Sequence, residues 1–117
     1  MNQDDMKKRT KEFAKRIIRL CRALPDNREG HLIGNQIFRS GTSVGANYRA
    51  ACRARSTAEF ISKLSIVEEE ADETLFWLEL IVEMDILDET KVKPLMQENN
   101  EIIAIIVSTI KTAKKSR

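Results

Sequence analysis

Apolar residues recur at helical spacing in four blocks along the chain, with no stretch of the strict alternation that marks a strand. In the first block Met6, Thr10, Phe13, Ile17, Leu20 and Leu24 follow at steps of 4, 3, 4, 3 and 4. That is the spacing of a seam down one side of a helix. Ala14 and Cys21 widen the stripe, while Lys7, Lys8, Lys11, Lys15, Arg16, Arg19 and Arg22 crowd the rest of the surface. A helix is predicted over about 4–24, stopped by Pro25-Asp26-Asn27, because proline pushes the preceding residue out of the helical region. A second helix is predicted over about 29–54, burying Leu32, Ile33, Ile37 and Phe38 and then Val44, Ala46, Tyr48, Ala51 and Cys52. Its centre, Arg39 to Asn47, is small and polar and holds Gly41 and Gly45. A glycine inside a helix costs about 1 kcal/mol relative to alanine. The segment therefore predicts either a kink or a close approach by a neighbouring helix.

The third block opens with the capping-box spacing Ser56-Thr57-Ala58-Glu59 and predicts a helix over about 57–85. Phe60, Leu64, Val67, Ala71, Leu75, Leu78 and Val82 form its inward stripe. Asp88 is placed to cap the fourth helix, about 90–114, whose stripe is Val92, Leu95, Asn99, Ile102, Ile106 and Ile110. Four helices joined by short loops predict an all-α, antiparallel up-down four-helix bundle, a single domain over 1–117. The last two helices carry more apolar surface than one stripe each. Trp77, Leu80 and Met84 on one, with Ile102 and Ile105 on the other, are the candidate contact between copies of a homo-oligomer. The alternative is a bundle whose crossing angles require broad stripes.

Composition adds limits. The 117 residues suffice for one domain, and two cysteines, Cys21 and Cys52, are too few for a disulfide scaffold. No run reaches 18 apolar residues and the chain opens on acidic residues rather than a cleavable signal. A reducing cytoplasm, with no membrane association, is the expected setting. The net charge of +2 conceals a partition: +8 over residues 1–55, −10 over 56–101 and +4 over 102–117. Such asymmetry fits contact with nucleic acid, or pairing of opposite charges between helices or subunits.

Little in the sequence supports chemistry. With one histidine, His31, a His-pair metal site cannot be assembled within the chain. Glu68, Glu69, Glu70, Asp72 and Glu73 read as a solvated helix face rather than a metal site. The two cysteines sit among apolar residues as small core side chains. Gly41 and Gly45 lack the strand and lysine of a phosphate loop. No enzyme activity, metal or cofactor is expected.

The stretch Gln36-Ile37-Phe38-Arg39-Ser40-Gly41-Thr42-Ser43-Val44-Gly45-Ala46-Asn47 resembles the hallmark of the small bacterial four-helix-bundle proteins. These are also called ribosomal RNA intervening-sequence proteins. Phe60, Leu64, Ile66 and Glu73 are similar to that family's second pattern, on its long third helix. Two departures stand out: Arg49-Ala50-Ala51 replaces the usual Ala-Glu-Gly, and Glu69-Glu70 replaces Gly-Ser. The family in turn resembles the accessory variability protein of diversity-generating retroelements, a pentameric ring that binds a reverse transcriptase and nucleic acid. The resemblance implies a basic, non-enzymatic scaffold, a homopentamer, with RNA or DNA and a reverse transcriptase as partners.

The hallmark residues themselves allow two readings. As structural glue, Ser40, Thr42 and Ser43 bond carbonyls one turn back, Asn47 bridges two helices, and Arg39 pairs with Glu69 or Glu73 of the third helix. As a binding surface, Arg39, Arg49, Arg53 and Arg55 form a basic stripe beside Lys8, Lys11, Lys15, Arg19 and Arg22, contacting phosphates without reading bases. Two functions follow for test: a nucleic-acid-associated scaffold, or a protein–protein adaptor whose charge partition serves only self-assembly.

Overall fold

A computed structural model describes residues 1–116, which form four helices: α1 Gln3–Ala23, α2 Arg28–Cys52, α3 Thr57–Glu83 and α4 Glu89–Ser116. The helices lie side by side in a rod 48 Å long and 20 Å across. Among the described residues α1 packs beside α2, α2 beside α3, α3 beside α4 and α4 beside α1, while the backbones of the diagonal pairs stay more than 8 Å apart, Cα to Cα. The α4–α1 seam is the least extensive of the four.

Local chemistry sets each end. Asn2 and Asp5 form a reciprocal capping box on α1, and the Asn27 side chain accepts the Gly30 N–H at 2.8 Å to start α2. Ser56 caps α3 by accepting the Glu59 N–H at 3.1 Å. The expected capping box is only half made there, because the Glu59 carboxylate takes the N–H of Arg55 rather than that of Ser56. Asp88 accepts both the N–H and the hydroxyl of Thr90 at 2.9 Å, starting α4.

The core follows the stripes closely in α1 and α4. Met6, Thr10, Phe13, Ile17 and Leu20 are buried from the first, and all six stripe residues of α4 from the last. In α3 the buried line runs instead through Ile61, Leu64, Val67, Ala71, Thr74, Leu78 and Ile81, leaving Phe60, Leu75 and Val82 half-buried. Thr74 explains the change. Its hydroxyl shares a 2.9 Å hydrogen bond with Ser40 of α2 and donates to the Glu70 carbonyl at 2.8 Å, so a polar residue occupies the inside without loss. In α2 the expected burial of Leu32, Phe38 and Ala46 fails: the first two are 56% and 46% exposed, and Ala46 is exposed as well. The small residues Ser40, Gly41 and Gly45 are buried in their place.

The helix α2 passes through its glycine-bearing centre without a break. Of the two expectations for that segment, the close approach is the one observed. A Cβ at Gly41 would sit 2.8 Å from two side-chain carbons of Ile17, and one at Gly45 would sit 3.2 Å from the carbonyl oxygen of Thr10. The loss of helix propensity is thus offset by intimate α1–α2 packing.

Each helix contributes one fully buried polar residue: Thr10, Ser40, Thr74 and Asn99. Asn99 donates to the Ala71 carbonyl at 2.9 Å, tying α4 to α3, while its own carbonyl oxygen has no partner. An amide held this way disfavours sliding of α4 along α3 more than it adds stability.

The narrow α4–α1 seam is closed by a residue that the hydrophobic pattern does not mark. Arg9 donates through Nε and Nη2 to the two oxygens of Glu98, both at 2.7 Å, and through Nη2 to Glu101 at 2.8 Å. The Arg9 and Glu98 side chains are 21% and 19% exposed, so the pair is only partly screened by water. Arg9→Ala is expected to destabilise the fold by about 1–2 kcal/mol, since it leaves Glu98 unpaired. Urea unfolding checks this, and an unchanged midpoint contradicts it.

Candidate nucleic-acid interface

The antecedent of a phosphate-binding surface is a set of cations held together without nearby carboxylates. Close packing of α1 on α2 supplies one. Because Gly41 and Gly45 bring the two backbones together, the basic side chains beside that contact share a groove of about 370 Å³ lined by Lys7, Lys8, Lys11, Arg49 and Arg53. No acidic residue lines it. Lys7 reaches the exposed Asp4 only at 3.9 Å, and Lys8, Lys11, Arg49 and Arg53 have no carboxylate within salt-bridge distance among the described residues. Four of the expected basic residues therefore come together with one addition, Lys7.

The remaining expected cations are dispersed. Lys15 donates to Glu12 on its own helix at 2.8 Å. Arg19 lines a different cleft, between α1 and α4. Arg22 is exposed in the last turn of α1, and Arg55 lies in the α2–α3 loop beside Cys52 and Phe60. Arg39 departs most from a phosphate-contacting stripe. Ten residues of helix turn it about 80° from Arg49, and its guanidinium donates to Glu70 at 2.8 Å and to Glu73 of α3. A cation clamped by two carboxylates on its own molecule offers little to a phosphate.

The Arg39 clamp instead joins residues of the two sequence patterns. Glu73 accepts from Arg39 and, at 3.1 Å, from the Trp77 indole N–H, and Arg39 first and Trp77 second hold its carboxyl below the usual carboxylate range. Beside it lies the Ser40–Thr74 hydrogen bond. Thr42 and Ser43 donate to the carbonyls of Phe38 and Arg39, both at 2.7 Å. Asn47 differs from its expected part: it donates at 2.9 Å to the Ser43 carbonyl of its own helix and does not bridge to another. Of the second pattern, Leu64 is fully buried, Phe60 is half-buried and Ile66 is exposed.

The candidates for a contact between copies also divide. Ile102 is fully buried in its own bundle, because its position continues the α4 seam, and it is unavailable to a partner. Trp77, Leu80 and Ile105 are half-buried and Met84 is 64% exposed. Phe76, at 51% exposure, belongs with them and was concealed within the apolar run Leu75-Phe76-Trp77-Leu78, where it is not on the inward stripe.

The acidic run of α3 separates by direction. Glu70 and Glu73 serve Arg39, while Glu68, Glu69 and Asp72 line an open groove with Ser65 and Ile103. Among the described residues no three His, Cys, Asp or Glu side chains are grouped to hold a metal ion. Both cysteines are half-buried free thiols, and burial pushes the Cys21 thiol up, away from the reactive thiolate. No helix is long and apolar enough to cross a membrane among the described residues.

The model of the 23S rRNA-intervening sequence protein family matches residues 2–108. The chain belongs to that family. A solved structure agrees: a protein of unknown function from the S23 ribosomal protein family of Bacteroides thetaiotaomicron is 38% identical, with a TM-score of 0.88. The match covers 95% of this chain and 99% of that one. No curated protein matches. Within this chain, the Arg39–Glu73 clamp joins the hallmark of α2 to the second pattern on α3.

Proposed function

We propose that this protein is a non-enzymatic scaffold that assembles as a closed ring of antiparallel, up-and-down bundles and associates with nucleic acid through the α1–α2 groove. The observation that carries the reading is the convergence of Lys7, Lys8, Lys11, Arg49 and Arg53 on one groove free of carboxylates. Cross-helix partners support the up-and-down path, since Thr10 and Ile17 meet Gly45 and Gly41 in reverse order, and Arg9 at the start of α1 meets Glu98 and Glu101 late in the chain. Five copies is the number implied by the resemblance to the accessory variability protein. In a ring, each copy repeats the groove, and the target becomes far more basic locally than a net +2 suggests.

The groove offers ammonium and guanidinium groups and no aromatic platform, so it fits phosphates rather than bases. Fluorescence anisotropy with a labelled single-stranded RNA and a DNA of the same sequence tests this. Both are expected to bind at low salt, with affinity falling steeply as salt rises and with little preference for sequence. Absence of binding at low salt refutes the nucleic-acid role and favours the adaptor reading.

A further inference from the structure

The α4–α1 seam holds a cleft of about 260 Å³ unlike the basic groove. Its floor is apolar, formed by Leu20, Leu87 and Leu95, and its rim is cationic, with Arg16, Arg19 and Lys91 and no acidic residue. Across the molecule α3 presents the converse surface. Phe76 and Met84 are 51% and 64% exposed, and Leu80 lies half-buried between them. The three follow at i, i+4 and i+8, so they form one ridge. Glu79 and Glu83, both exposed, stand alongside at i+3 and i+7. Phe76 is braced from behind by Trp77, with ring centroids 5.1 Å apart and planes at 76°.

We infer that the α3 ridge around Phe76 seats in the α1–α4 cleft of a second copy of this chain. Three observations single out that occupant. An acidic-edged apolar ridge matches a basic-rimmed apolar cleft in both polarity and charge. The two surfaces also lie at the same height. The cleft is made by the last turns of α1 and the first turns of α4, and the ridge by the last turns of α3, which the short 84–88 loop joins to α4. Finally, they cannot satisfy one another within one molecule, because α3 and α1 occupy opposite corners of the bundle, with no Cα of one within 8 Å of the other. Each copy therefore offers a ridge to one neighbour and a cleft to the other, a head-to-tail contact that closes into a ring when its rotation permits. The contact assigns Arg19 to assembly and leaves the α1–α2 groove outside it. It rests on the self-assembly part of the proposed function.

The test uses the full chain, with mass in solution read by light scattering and native mass spectrometry across a concentration series, and helix content by circular dichroism. The wild type is expected to be an oligomer. Arg16→Glu with Lys91→Glu, or Glu79→Lys with Glu83→Lys, is expected to raise the concentration for half-assembly by about tenfold or more. All four changes together are expected to restore assembly, and only a contact between copies can do this, since the two sets lie on opposite sides of one molecule. Phe76→Asp, at an exposed position, is expected to give a folded monomer by a route independent of the cations. Wild-type assembly that survives either charge reversal, or a folded fourfold variant that stays monomeric, overturns this contact. A monomeric wild type overturns the self-assembly reading itself.

Discussion

Changing Lys11 and Arg53 together to glutamate is expected to abolish measurable RNA binding at moderate salt while leaving the fold intact. Both side chains line the α1–α2 groove and neither has a carboxylate partner among the described residues, so no native ion pair is lost. Each phosphate contact releases a condensed counterion, and removing two lowers the slope of log K against log salt by about two. Reversal adds repulsion to this loss, and in an assembled ring the change recurs in every copy. The expected loss of affinity is at least about a hundredfold. The comparison variant is Arg39→Glu. A stripe running from Arg39 to Arg53 predicts the same loss there, whereas the clamp of Arg39 onto Glu70 and Glu73 predicts reduced stability with the salt slope preserved. Anisotropy titrations at several salt concentrations separate the two.

The largest expected effect on stability comes from Gly41→Val. A Cβ at this position falls 2.8 Å from Cγ1 and Cγ2 of Ile17, which is itself fully buried in the core. Something must shift, and because Ile17 is enclosed by the core the strain falls on the α1–α2 packing. Overpacking of this kind costs about 1–3 kcal/mol, and the two branched carbons of valine place it at the upper end. A gain in helix propensity of several tenths of a kcal/mol offsets only part of that. The groove is built on the same contact, so RNA affinity is expected to fall along with the unfolding midpoint. Thermal unfolding and anisotropy on one preparation test the linkage, and a variant with unchanged affinity despite lowered stability breaks it.

How much of this was legible in the sequence depends on what each residue answers to. Val92, Leu95, Asn99, Ile102, Ile106 and Ile110 answer to a single seam, and periodicity alone places all six inside. Thr74 answers to a partner on another helix. A stripe of apolar residues passes over Thr74 because its cost of burial is removed only by Ser40 and the Glu70 carbonyl. Leu32 and Phe38 failed for the converse reason: the buried line of α2 runs through Ile37, Ser40, Gly41, Val44, Gly45 and Tyr48, small where α1 comes close, and Leu32 and Phe38 lie off it. Arg9 carried no signal at all, being one cation among many until Glu98 and Glu101 are brought beside it.

The candidate site shows the same division. The basic residues of α1 and α2 were visible as composition, and their hand-to-hand arrangement in one groove follows from a contact between helices that the small residues permit. What composition could not do was sort them. Arg39, Arg49 and Arg53 are alike as letters, yet the first faces Glu70 and Glu73 while the others face the groove. Ile102 shows the limit of reading excess apolar surface as an interface, since a residue can continue the core seam and still look surplus. Its neighbour in that argument, Met84, is exposed as an interface residue must be.

The most direct test of the α1–α2 groove as the nucleic-acid surface is lysine footprinting of the intact protein with and without RNA at low salt. Acylation rates are read residue by residue by mass spectrometry. The account predicts strong protection of Lys7, Lys8 and Lys11, with Lys63, Lys93 and Lys111 reacting as they do in the free protein. Protection spread evenly over all lysines, or confined to Lys111, Lys114 and Lys115 at the end of α4, contradicts it.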